Sequence, residues 1–143
     1  MFAYQDDLEG VTVVVGEQCP PLSAHAIARK AWRWVSLPMT ADCFKPVSVR
    51  NPRRLLQEDD PVKRCSCWAL SMHDSEAQSI AAFKALEKKF KQIRKTIGSA
   101  VASADLTPAD GVSTQSDDYG HFDLHPYKTT LFPAPFVAPK AIP

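Results

Sequence analysis

The chain has 143 residues, with 17 Lys and Arg against 16 Asp and Glu, a formal charge of +1, and 45% hydrophobic residues. That length suits one compact domain, which buries roughly 68–70% of its unfolded surface and needs no staple to make a core. The balance of charge excludes a partner selected by a whole-molecule field. No apolar run approaches the ~20 residues of a membrane helix, and the composition excludes collagen, coiled coil and disulfide miniprotein.

The opening residues, Met1 to Asp7, lack the basic and apolar regions of a secretory signal, so a cytoplasmic protein is expected. In that compartment Cys19, Cys43, Cys65 and Cys67 would be reduced thiols. Cys65-Ser-Cys67 has no second knuckle at metal-ligand spacing, so the cysteines read as small buried hydrophobes, and neither a metal nor an organic cofactor is expected.

Gly10 to Gly16 holds a β-branched run between glycines and predicts a strand buried on both faces. Ser23 can cap a helix running to Val35, with Ala24, Ile27, Ala28 and Ala31 on one stripe and His25, Arg29 and Arg33 opposite. Pro38 to Pro61 is irregular, with a short strand candidate at Val47–Arg50. Arg64 to Met72 predicts a strand carrying Ser66, Trp68, Leu70 and Met72 on one face.

Ser75 and Gln78 form a capping box for the next helix, which runs to Ile97. Its stripe of Ile80, Phe83, Leu86, Phe90, Ile93 and Ile97 is expected to face Val13, Val15, Trp68 and Leu70, and Gly98 is its stop. Ser99 to Leu106 predicts a strand, Thr107 to Gly111 a turn, Val112 to Asp118 a loop and Gly120 to Pro126 a short strand. The tail carries Pro133, Pro135, Pro139 and Pro143 among apolar residues. It is too proline-rich for an inner strand and too apolar to lie free in water.

Charge is segregated along the chain. Asp6, Asp7, Glu9 and Glu17 make the start acidic. Lys84, Lys88, Lys89, Lys91, Arg94 and Lys95, with Glu87, make a basic helix face. Asp105, Asp110, Asp117, Asp118 and Asp123 make a second acidic block. Such blocks can meet within one fold or between copies.

His121-x-Asp123-x-His125 on a strand places all three side chains on one face, and two imidazoles with a carboxylate are a ligand set of catalytic metals. Same-face neighbours about 6.5–7 Å apart cannot easily share one ion. Ser71 and His73, where a strand runs into a helix, stand where α/β folds bind ligands. No glycine-rich phosphate loop, dinucleotide fingerprint or Gly-x-Ser-x-Gly elbow is present. A basic residue on an early strand, a serine strand leading into a helix and a late acid is similar to the order in ADP-ribosyltransferases, which bind nicotinamide in a split sheet. Arg50 or Arg64, Ser71 and Asp123 would take those parts, with Asp where that family has Glu.

The fold expected is α+β, a four- to five-stranded mixed or antiparallel sheet with helices 23–35 and 75–97 on one face. Residues 1–127 would form a single domain and 128–143 a Pro-rich strap or tail. The first functional expectation is a small non-catalytic binding or assembly protein that pairs with itself or another protein, docking through Phe132 and Phe136. The second is a small enzyme using His121, Asp123 and His125 with Ser71 and His73, either metal-dependent or nucleotide-binding in the ADP-ribosyltransferase manner. The third is weak nucleic-acid binding through Lys84, Lys88, Lys91 and Lys95, against which the near-neutral charge and the lack of interleaved aromatics argue.

Overall fold

The computed structural model describes residues 1–15 and 18–143, and the side chains of all of these except Val14 and Val15. The α+β class is as expected, with more elements than the sequence suggested. In chain order they are α1 (Gln5–Val15), β1 (Arg29–Val35), α2 (Val47–Arg50), α3 (Pro52–Leu56), α4 (Pro61–Ser66), β2 (Leu70–His73), α5 (Glu76–Lys89), α6 (Ile93–Thr96), β3 (Ala100–Leu106), β4 (Gly111–Ser113), β5 (His121–Pro126) and β6 (Phe136–Ala141). The six strands form one sheet in the order β4-β5-β2-β1-β3-β6 with antiparallel neighbours.

The first two predicted elements are exchanged. The 10–16 stretch is not a strand: residues up to Val15 belong to α1, and Gly16 lies outside the described residues. Asp6 and Asp7 sit in the first turn, where the helix dipole favours them. Leu8 and Val11, three apart, are buried on Cys19 and Cys65, while Val13 is exposed. The 23–35 helix is corrected to β1. Ala31, Arg33 and Val35 are buried on one face, and Trp32 and Trp34 lie on the other. Both faces are covered, which hides the alternation that would reveal a strand.

The Arg64–Met72 strand shortens to β2, because Arg64 to Ser66 belong to α4. The Asp60 carboxylate accepts the amides of Val62 and Lys63, and Pro61 occupies the first helical turn. Val47–Arg50 is α2, not a strand. α5 begins at the expected cap, with Ser75 accepting from the Gln78 amide, but it ends at Lys89. Phe90 turns outward, and the buried ridge resumes at Ile93 in α6. The ridge meets Trp32, Trp34, Val101 and Ile142. The expected partners Trp68 and Leu70 lie elsewhere, Trp68 with Leu8 and Val11, Leu70 on the far side of the sheet.

That far side carries Ala31, Val35, Leu70, Met72, Ala102, Ala104, Phe122 and Leu124, roofed by Cys43, Phe44 and Phe136. Part of the predicted loop 112–118 pairs as β4 with β5. The tail forms β6 at the sheet edge, which tolerates Pro139 because an edge strand has one unpaired side. Phe132 stacks on Phe44 with ring centres 4.8 Å apart, and Phe136 is 3% exposed. Both tail aromatics are thus packed within the chain.

Cys19 and Cys65 are joined by a disulfide, which corrects the expectation of four free thiols; Cys43 and Cys67 are free and buried. No helix among the described residues is long and apolar enough to cross a membrane.

Candidate functional site

α5 packs on β1, β2 and β3 on one sheet face, and between it and α2, α3 and α4 the sheet is left partly uncovered. The gap is an open cleft of about 930 Å³, within the roughly 300–1,000 Å³ typical of small-molecule sites. Its floor is the sheet itself, presenting Trp34, Ser71, His73, His121 and Asp123; α2 to α4 contribute Arg50, Arg54 and Lys63, and Lys45 joins them.

The floor opens where β1 and β2 part. Trp32 pairs with His73. Beyond that point Arg33 bridges the strands with hydrogen bonds: Nη1 donates to the Ser71 carbonyl at 2.9 Å, while Nε and Nη2 donate to the Cys43 carbonyl at 3.0 and 2.9 Å. Arg33 is 8% exposed. Burial, with some repulsion from Arg50, lowers its pKa to about 10, so it stays charged at neutral pH. Among the described residues no carboxylate pairs with it. A buried charge satisfied only by carbonyl dipoles favours an anion beside it.

Next to it, Ser71 Oγ and His121 Nε2 are 2.6 Å apart. Register creates this pair, since Ser71 lies opposite Asp123 and His73 opposite His121 on the same face of β2 and β5. His121 Nε2 is 3.7 Å from Asp123 Oδ1, and its Nδ1 is 3.9 Å from Asp117 Oδ2. Burial raises the Asp123 pKa despite the opposing pull of Ser66 and His121. Burial pushes Asp117 up as well, but the amides of His121 and Tyr119 and the nearby imidazole hold it below the usual carboxylate range. His73, 4% exposed, is wedged between Trp34 and His121 with ring centres 5.5 and 5.6 Å away. Burial, then repulsion from His121, lowers its pKa to about 4.

Of the expected catalytic residues, Ser71, His73, His121 and Asp123 share this cleft. His125 faces the same way but lies under α1 and α4, with Nε2 3.9 Å from Cys65 Sγ. Neither Arg50 nor Arg64 is on a strand; Arg50 stands on the cleft wall and Arg64 donates to the Leu55 and Glu58 carbonyls. Arg33, the cation the sequence reading placed on a solvent-facing helix side, holds the central position. Its strand signal was the aromatic alternation of Trp32 and Trp34.

The lysine row does not form one helical face. Lys84, Lys88 and Lys91 border a shallow depression with Glu87, Lys84 donates to the Pro143 carbonyl, and Lys95 lies on α6 beyond the break. Comparison of the chain with protein-family models, curated proteins and solved structures gives no match.

Proposed function

We propose that the chain is a small enzyme that binds a nicotinamide dinucleotide in this cleft and acts in the ADP-ribosyltransferase manner. One observation carries the reading: Arg33 of β1, Ser71 of the strand entering α5 and Asp123 of β5 all line this one cleft, Ser71 and Asp123 paired on its floor and Arg33 reaching it at the Ser71 carbonyl. These are the three parts that the sequence order implied, with Arg33 in place of Arg50 or Arg64.

Arg33, Lys45, Arg50, Arg54 and Lys63 would meet the pyrophosphate, where charge-assisted bonds to phosphate oxygens are strongest. Trp34 and His121, with His73 wedged between them, supply a flat surface on the floor for the aromatic ring, and the Ser71 hydroxyl a polar contact. In the transfer, the bond from the ribose carbon to the nicotinamide nitrogen breaks and the ring leaves neutral. The Asp123 carboxylate stabilises the positive charge that develops on the sugar. An acceptor hydroxyl, amine or water takes the ribose carbon, and His121 receives its proton.

Trp34 in the floor gives a direct assay. Titration with NAD⁺ is expected to change tryptophan fluorescence saturably, and nicotinamide release is expected to follow. Asp123→Asn should slow release by about 10²-fold or more with binding nearly unchanged. No saturable response at millimolar NAD⁺ would overturn the reading.

The 2.6 Å Ser71–His121 contact favours a second reading, a hydrolase with Ser71 as nucleophile. A fluorophosphonate that labels Ser71 in the wild type but not in His121→Gln would select it. The Asp117 partner at 3.9 Å is too distant to orient the imidazole by a hydrogen bond, so we place this reading second. Self-association through Phe132 and Phe136 ranks below both, since those rings are spent on Phe44.

A further inference from the structure

A second cluster lies beneath α1, behind the residues of α4 and β5 that line the cleft. Cys19, Cys65 and His125 are 7%, 4% and 1% exposed, and one donor atom from each lies within 4.8 Å of the other two. The disulfide accounts for the two sulfurs. It does not account for the imidazole, whose Nε2 is aimed at Cys65 Sγ from 3.9 Å and whose Nδ1 has no hydrogen-bond partner among the described residues. A disulfide sulfur is at best a weak acceptor, so the nitrogen that faces the two sulfurs has no strong partner there. Two thiolates and an imidazole are a donor set for Zn²⁺, which three protein ligands hold with a water in the fourth position.

We propose that the reduced chain binds one Zn²⁺ through Cys19, Cys65 and His125, and that the disulfide is the metal-free, oxidised form of the same site. A dithiol reductant opens the S–S bond. Its two hydrogens pass to Cys19 and Cys65, and its own sulfurs join as a disulfide. Zinc then replaces the two thiol protons, which leave to solvent. α1, which packs Leu8 and Val11 on this cluster, stays tied to α4 and β5 in either state.

The full chain, reduced anaerobically with a phosphine and then freed of it, would be titrated with Zn²⁺ and with Co²⁺. Wild type is expected to take up one ion and release two protons. Of its four thiols, two should become protected from a thiol reagent, and Co²⁺ should give a thiolate charge-transfer band. The Cys43→Ser/Cys67→Ser double variant should behave alike, whereas His125→Gln, whose folding is checkable in the disulfide form, should bind at least tenfold more weakly. Failure of reduced wild type to bind, equal binding by His125→Gln, or equal uptake by the oxidised chain would overturn the assignment. Taken on the Cys43→Ser/Cys67→Ser variant, the proton and thiol counts assign both thiolates even if His125→Gln does not fold, and their absence there would overturn the proposal.

Discussion

At the scale of single residues, three buried ionisable side chains set the electrostatics. Arg33 remains cationic under the sheet's opening, while His73 and His125 are held neutral, both with pKa values lowered to about 4, chiefly by burial. An unfolded histidine titrates near 6.5. Between pH 6.5 and 4 the unfolded chain therefore binds protons that these two folded imidazoles do not. Their contribution to stability is complete above pH 6.5 and is lost as the pH falls towards 4. Thermal unfolding measured across that interval should show a falling midpoint, and His125→Gln should flatten the slope. Asp123, raised by burial, acts in the opposite sense at acid pH. If the wild-type midpoint held constant from pH 6.5 to 4, the neutral burial of both imidazoles would be wrong.

At the scale of elements, local signals succeeded where one residue forces the backbone. Ser75 caps α5 and Gly98 ends the helical stretch at φ +138°, as a stop should. A Cβ at Gly98 would overlap the Val35 carbonyl, so the glycine is needed both for its backbone angle and for close approach to β1. Gly98→Ala should cost about 2 kcal/mol or more in denaturant unfolding, beyond the effect of a surface substitution. Propensity failed where burial decided. The β-branched run after Gly10 is helical in α1, whose Leu8 and Val11 have a helical stripe to bury. The 29–35 segment is extended because Trp32, Trp34, Ala31 and Val35 are needed on two different faces. β6 depends on its first residue: Phe136→Ala empties a site beside Phe44 and should cost about 3–5 kcal/mol by the same measurement.

At the scale of the whole molecule, the sheet order puts the ends of the chain to use. β6 closes the β3 edge, and the carbonyls of Ile142 and Pro143 accept from Arg94 beyond it. A chain ending at Tyr127 would lose β6 and both tail aromatics. It should unfold several degrees lower at the least, since even about 1 kcal/mol moves the midpoint of a domain this size by roughly 2–8 °C. Unchanged stability of that truncation would show that the tail is not part of the core. The disulfide closes a separation of 46 residues that holds β1, α2, α3 and most of α4. Removing it with Cys65→Ser should cost the oxidised chain about 2–4 kcal/mol by loop-closure entropy, read from denaturant unfolding in the absence of metal.

The residues themselves determined what depends on near neighbours. The α+β class, the start of α5, strands β3 and β5, and the shared face of His121 and Asp123 follow from spacing of two or about 3.6 and from caps and glycines. Only the tertiary structure decided that Arg33 is the cation at the opening, that Ser71 meets His121 across two strands, and that His125 is diverted to the cysteines. Those pairings join positions 38, 50 and 60 residues apart. Their register is set by burying two faces of one sheet at once, a constraint that no short window of sequence contains.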